Sequence, residues 1–115
     1  MSAVKDWPAY NAALRVQGKE LTQLHPELMK GFNVLSAGAA KTQYLDAKTR
    51  ELIALAVAVT TRCDGCLDAH VAKALKAGAT KAEMAEALGV AIALNAGAAL
   101  TFSLHALDRA DQAPA

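Results

Sequence analysis

A run without any charged side chain, from Ala87 to Leu107, limits what this chain can fold into more than any other feature. A helix of about this length can span a bilayer, and a protein in water must bury such a helix instead. The run is dominated by Ala and Gly, and it contains Asn95 and His105, which argues against a membrane span. We therefore interpret it as two helices, separated at Asn95-Ala96-Gly97, that are buried partly in the protein and partly against another subunit.

The composition predicts an all-α protein with a single domain, residues 1–115. Hydrophobic residues make up 54% of the chain but aromatic residues only 4%, so Ala, Leu and Val supply most of the apolar surface. Small side chains of this kind are typical of closely packed helices. The length is that of one domain, and no repeat or linker divides it.

Charge and the N-terminal sequence bear on partners and location. The net charge is +1, and no block of Lys and Arg is present of the kind that follows a phosphate backbone, so we expect no nucleic-acid binding. The first ten residues, MSAVKDWPAY, lack the apolar core of a secretory signal. We expect a cytoplasmic protein that does not bind a membrane, in a compartment that keeps thiols reduced.

Helix-start and helix-stop signals predict a bundle of about six helices. The expected starts are Asp6 with Pro8, His25-Pro26, Asp46, Cys63, the capping box Thr80-Lys81-Ala82-Glu83, and Gly97. Gly78 is expected to end the helix that begins near Cys63.

Two cysteines and a histidine share one face of that helix, because Cys63, Cys66 and His70 are spaced i, i+3 and i+7. Lowering a thiol pKa from about 8.5 to about 7 requires roughly 2 kcal/mol, of which a helix dipole supplies about 0.3 to 1 kcal/mol. His70 lies one turn after Cys66 and can supply the remainder by accepting the proton. Cys66 is therefore expected to be the activated thiol, and Cys63 its disulfide partner.

One carboxylate, Glu51, interrupts an apolar helix and would need a partner if it were buried. If its helix packs against the cysteine helix, Glu51 can orient His70, as the third group does in nucleophile–base arrangements. Alternatively, Glu51 pairs at the surface with Arg50, Lys48 or Arg62.

Two structural explanations of the same residues remain open. A zinc site could use Cys63, Cys66, His70 and Glu51, whose ligand types are suitable, although three of them share one helix. A structural disulfide would stabilise the fold by about 2 kcal/mol for so short a loop, in a compartment that disfavours it.

Two segments carry a resemblance to a known family. They are Arg50-Glu51-Leu52 and Thr60-Thr61-Arg62-Cys63-Asp64-Gly65-Cys66-Leu67-Asp68-Ala69-His70. Within a region from about Leu45 to Leu107, they resemble the carboxymuconolactone decarboxylase superfamily, and specifically its AhpD-like alkylhydroperoxidase branch.

The resemblance implies an AhpD-like helical fold, a homotrimer or homohexamer, and peroxidase or disulfide-reductase activity without a bound cofactor. In that branch the second cysteine forms a sulfenic acid and the first is the proton donor and resolving thiol, so these roles fall to Cys66 and Cys63. The relay glutamate and histidine of the branch match Glu51 and His70. The substrates implied are small hydroperoxides or disulfides, and the reductant is a dithiol, in the family a lipoyl-carrying protein. The chain has Gly65 where the best-known peroxidases of the branch carry a histidine.

Two other functions are compatible with these residues. A lyase of the kind that names the superfamily would use His70 and Glu51 for proton transfer and would not need the cysteines. A non-catalytic oligomeric redox sensor would be oxidised without turnover.

Overall fold

The computed structural model describes residues 4–114, and this part of the chain contains five helices and no strand. The helices are α1 (Trp7–Leu24), α2 (Pro26–Ala40), α3 (Ala47–Thr61), α4 (Asp64–Lys76) and α5 (Lys81–Asp111). The all-α prediction is therefore confirmed.

The predicted helix starts are confirmed where a side chain caps a free backbone N–H. Asp6 Oδ1 accepts a hydrogen bond from Ala9 N at 3.1 Å, and Asp46 Oδ1 accepts one from Thr49 N at 2.8 Å. Such bonds satisfy donors that the first helical turn leaves without partners. The α4 helix ends before Gly78, whose φ of +90° is a backbone conformation that favours glycine.

A capping box opens α5, as the sequence predicts. Thr80 Oγ1 accepts a hydrogen bond from Glu83 N at 3.1 Å, and Glu83 Oε1 accepts one from Thr80 N at 2.9 Å. Glu83 also forms an ion pair with Lys48 Nζ at 2.7 Å, so the start of α5 is tied to the first turn of α3.

The predicted helix break at Asn95-Ala96-Gly97 is wrong, because α5 runs through it without interruption. The Asn95 amide donates to Ala91 O at 2.7 Å, within its own helix, and to Thr60 Oγ1 at 2.9 Å, on α3. The side chain thus joins two helices instead of ending one. The two helices expected from this region are a single helix, which reduces the expected count of about six to five.

The buried core lies where α3, α4 and α5 meet. Its buried members are Leu55, Ala74, Ala79 and Met84, with Leu52, Leu67, Val71 and Leu88 packed around them. The α1 helix packs against α2 and α4, so the α1–α2 pair contacts the rest of the protomer largely through α4. This arrangement places α1 against the start of α4, where the cysteines are.

Much of the apolar surface stays uncovered in the protomer. Of the uncharged run from Ala87 to Leu107, Ala91 alone is buried, so the chain itself covers little of the run, and its contact with another subunit stays a prediction. The radius of gyration is 18.8 Å, whereas a compact domain of this length has about 13 Å. By length and composition α5 is also apolar enough to cross a membrane, and within the protomer only 6% of its most apolar stretch is buried.

We expect Thr80→Ala to lower the free energy of unfolding by about 1 kcal/mol, because it removes the hydroxyl that caps α5. Thr80→Ser is the matched control, since it keeps the hydroxyl and should retain nearly all of the stability. Urea unfolding followed by circular dichroism at one protein concentration measures both. Equal losses in the two variants would contradict a capping role.

Candidate active site

The four residues selected from the sequence lie on two packed helices. Glu51 is in the second turn of α3, Cys63 precedes α4, and Cys66 and His70 are in the first two turns of α4. Because α3 and α4 pack along their lengths, a side chain near the start of α3 meets one in the middle of α4.

The two cysteines form a disulfide, with their Cα atoms 5.2 Å apart. Cys63 is the N-cap residue of α4, and its Sγ accepts a hydrogen bond from Cys66 N at 3.1 Å. The positive end of the helix therefore acts directly on Cys63, the residue near which the sequence predicts the helix to begin. Cys66 is exposed and Cys63 is half-buried, so the pair is open to solvent on the Cys66 side.

Glu51 is buried, with 5% of its surface exposed, and it binds His70. Its Oε1 lies 2.7 Å from His70 Nδ1. The expected Glu51–His70 contact is thus confirmed, and the expectation that Glu51 lies at the surface is wrong, although one partner named in that alternative, Arg50, does pair with it. A buried carboxylate is costly unless it is paired, so this bond gives the residue its reason to be there.

Arg50 is the second partner of Glu51. Its Nε donates to Glu51 Oε2 at 3.3 Å, while Nη1 donates to Ala40 O and Thr42 Oγ1, both at 3.0 Å. Arg50 was considered from sequence only as a surface ion pair, yet it fixes the carboxylate and also closes the α2–α3 connection. Adjacent opposite charges are too common in helices for the sequence to reveal this role.

The net effect of its surroundings lowers the pKa of Glu51. Burial by itself raises the pKa, but hydrogen bonds from His70 and Arg50 and the positive charges of His70 and Lys73 lower it by more. Glu51 is therefore ionised at neutral pH and can only accept hydrogen bonds. It follows that His70 Nδ1–H donates the hydrogen bond to Glu51, and in the neutral tautomer with this Nδ1–H the acceptor is Nε2.

The start of α1 completes the surroundings of the cysteine pair. Lys5 Nζ lies 2.9 Å from Asp64 Oδ2, and Asn11 Nδ2 donates to Asp68 Oδ2 at 2.6 Å. The partners in these two contacts are more than fifty positions apart in the chain, so no sequence spacing could have indicated them.

The ligand set considered for zinc does not come together as a cluster. Within residues 4–114, no group of three or more His, Cys, Asp or Glu side chains is placed to hold a metal ion. The sulfurs are bonded to each other, and His70 Nδ1 is bonded to Glu51.

Comparison with known proteins agrees with this architecture. The chain is 53% identical over 103 residues to an uncharacterised protein of Haemophilus influenzae, covering 90% of this chain and 91% of that protein. It is 43% identical over 68 residues to uncharacterised protein 4 in the cox locus of Paracoccus denitrificans, covering 59% of this chain and 61% of that protein.

Two solved structures share the fold. One is the apo crystal structure of a carboxymuconolactone decarboxylase family protein from Legionella pneumophila, with a TM-score of 0.72 and 36% identity, covering 89% of this chain and 91% of that chain. The other is a protein from Methanobacterium thermoautotrophicum, with a TM-score of 0.69 and 32% identity, covering 74% of this chain and 96% of that chain. The model of one protein family matches residues 26–109. The chain belongs to that family, the carboxymuconolactone decarboxylase family.

Proposed function

We propose that this protein is a thiol-dependent oxidoreductase that reduces small organic hydroperoxides or disulfides with Cys63 and Cys66. The observation that carries the proposal is the disulfide at the start of α4, with His70 on the next turn of that helix and Glu51 of α3 bonded to His70. A cysteine pair of this spacing exchanges two electrons by closing and opening its disulfide. Family membership supports the proposal, since the family includes alkylhydroperoxidases as well as decarboxylases.

Activation of the thiol begins with the ionised Glu51. Because Glu51 accepts the hydrogen bond from Nδ1–H, the other ring nitrogen of His70, Nε2, is free to act as a base. Cys66 and His70 are one helical turn apart, and residues at that spacing have Cβ atoms about 5 to 6 Å apart. In the reduced enzyme His70 takes the proton of Cys66 and leaves a thiolate. Glu51 then stabilises the imidazolium that results.

The peroxide step is a two-electron transfer from sulfur to oxygen. The Cys66 thiolate attacks the terminal oxygen of ROOH, so that an S–O bond forms, the O–O bond breaks and an alkoxide leaves. The alkoxide takes the proton held by His70 and departs as an alcohol, and Cys66 is left as a sulfenic acid.

The cysteine pair then closes and is reduced again. Cys63 attacks the sulfenic sulfur, the S–O bond breaks, and water leaves with the Cys63 proton. A dithiol donor opens the disulfide through a mixed disulfide and is itself oxidised, which returns both cysteines to thiols. We place this cycle in the cytoplasm, where dithiol reductants are available.

We further propose that the protein works as a homotrimer or homohexamer. Large apolar side chains on α5 from Leu94 onwards are uncovered in the protomer, and more than half of the surface of each is exposed. They are Leu94, Leu100, Phe102, Leu104 and Leu107. So much uncovered apolar surface is typical of an interface with other copies of a chain.

Cys66→Ser should lower the turnover of tert-butyl hydroperoxide with dihydrolipoamide by at least about 100-fold, because it removes the attacking sulfur. Oxidation of the dithiol, followed by absorbance, measures the rate. Thr22→Ser on the exposed surface of α1 is a control that should keep full activity. Full turnover in Cys66→Ser would sink the proposed mechanism, and a lyase activity that survives loss of both cysteines but not loss of His70 would replace it.

Glu51→Gln should destabilise the protein by about 1 to 3 kcal/mol at pH 7, because it removes a buried, charge-assisted hydrogen bond. Folding lowers the pKa of Glu51 from its ordinary value of 4.5. Its ionised form therefore adds stability above about pH 4.5, and this contribution disappears as the pH falls through the lower folded value. Urea unfolding at pH 7 and pH 3.5 should show the difference from wild type shrinking in acid.

Glu86→Gln is the matched control for that experiment, since Glu86 is exposed on α5. It should change stability by less than about 0.5 kcal/mol at either pH. A Glu51→Gln deficit that is the same at both pH values would contradict the ionised Glu51–His70 interaction.

Light scattering at micromolar concentration should give a mass several times the 11.9 kDa of one chain. Phe102→Asp should shift the protein towards smaller species, because a charge in an apolar interface is left without a partner. Thr22→Asp, a charge added at an exposed polar position, should not. A wild-type mass of one chain would contradict the proposed assembly.

A further inference from the structure

Two carboxylates in the first two turns of α4 are close in sequence to the cysteine pair. Asp64 is in the sequence between the cysteines, and Asp68 is two residues after Cys66. Negative charge close to a thiol raises its pKa, because the thiolate is repelled. Taken alone, the first turn of α4 would thus oppose the reactive form of its own sulfur.

The start of α1 compensates for this charge. The Lys5 ammonium lies 2.9 Å from Asp64 Oδ2, and it also lies 4.4 Å from the centre of the Tyr10 ring. Asp68 accepts a short hydrogen bond, 2.6 Å, from the neutral Asn11 amide. One of the two carboxylates is therefore paired with a cation, and they are held by α1 and by the residue just before its N-cap.

The α1 helix packs closely against the backbone of Gly65, which lies between the cysteines. A Cβ atom at Gly65 would lie 3.2 Å from Leu14 Cδ1 and 3.8 Å from the Tyr10 hydroxyl. The first contact is tighter than ordinary packing, so α1 lies directly against Gly65. The packed α1 helix thus holds the backbone of Lys5, the residue just before its N-cap, close to Asp64.

We propose that Lys5 is a positioning residue of the redox site, which neutralises Asp64 and thereby keeps Cys66 in its thiolate form. The biological meaning of this role rests on the proposed function, but the effect itself belongs to the thiol. The other charged or titratable groups on the elements packed here are Asp6, Tyr10 and Arg15 at α1 and Glu51, Arg62, Asp68 and His70 at α3 and α4. None of them changes in the variants below, so differences between those variants report the Lys5–Asp64 pair.

The expected effect is modest, because both members of the pair are partly exposed to solvent. Removing the Lys5 charge should raise the pKa of the Cys66 thiol, because the charge of Asp64 is then no longer neutralised. Below that pKa, the thiolate fraction, and with it the rate of alkylation, should fall about 2- to 5-fold.

The test is the pH dependence of alkylation by iodoacetamide in the reduced full-length protein. Mass spectrometry quantifies modification at Cys66 between pH 5 and 9, which separates it from Cys63. Lys5→Met should move the alkylation profile to higher pH, whereas Lys5→Arg, which keeps the positive charge, should leave the profile as in wild type. Lys19→Met removes the same charge from an exposed position further along α1 and should have no effect.

Neutralising the partner separates an electrostatic role from a structural one. Asp64→Asn should move the profile to lower pH, and Lys5→Met should cause a smaller shift in the Asp64→Asn background than in wild type, because without Asp64 the Lys5 ammonium is no longer held in place. A Lys5→Met profile that superimposes on wild type would overturn the inference, as would the same Lys5→Met shift in the Asp64→Asn background. Thermal unfolding by circular dichroism verifies that every variant is folded.

The outcome is independent of turnover. Should wild-type protein fail to reduce any hydroperoxide or disulfide while the alkylation profiles shift as described, the proposed function fails and the role of Lys5 stands. If turnover is normal but the alkylation profiles of wild type and Lys5→Met coincide, the proposed function stands and the role of Lys5 fails.

Discussion

The hydrogen bond between Glu51 and His70 is the interaction on which the rest of the site depends. It is 2.7 Å long, it joins α3 to α4, and its carboxylate is almost fully buried. A buried carboxylate is stable only when it is paired. The packing of α3 against α4 therefore depends on the same bond that arranges the site. The bond also selects the tautomer of His70, and so decides that the nitrogen left as an acceptor is Nε2.

Around this pair, the protomer separates into a packed part and an exposed part. The core between α3, α4 and α5 holds the residues of the candidate site in position, and Leu55 and Ala74 are fully buried in it. The α2 helix and the second half of α5 leave large apolar side chains in solvent. A small domain buries a limited share of its surface by itself, and the proposed assembly with further copies would cover the remainder.

Several features followed directly from local sequence. Asp6, Asp46 and the Thr80–Glu83 capping box begin their helices as predicted, because capping bonds span only three residues. The uninterrupted α5 did not follow, since Asn95 forms a bond to Thr60 on another helix, and local signals do not include such a contact. The same limit explains why Lys5 and Asn11 could not be connected with α4 beforehand.

The spacing of Cys63, Cys66 and His70 on one helical face was determined by the sequence alone, because helical periodicity relates residues a few positions apart. Only the tertiary structure decided that Glu51 meets His70, that Arg50 supports it, and that Lys5 reaches Asp64. These contacts depend on how whole helices pack, which is set by the summed burial of many weak apolar contacts and not by any local pattern.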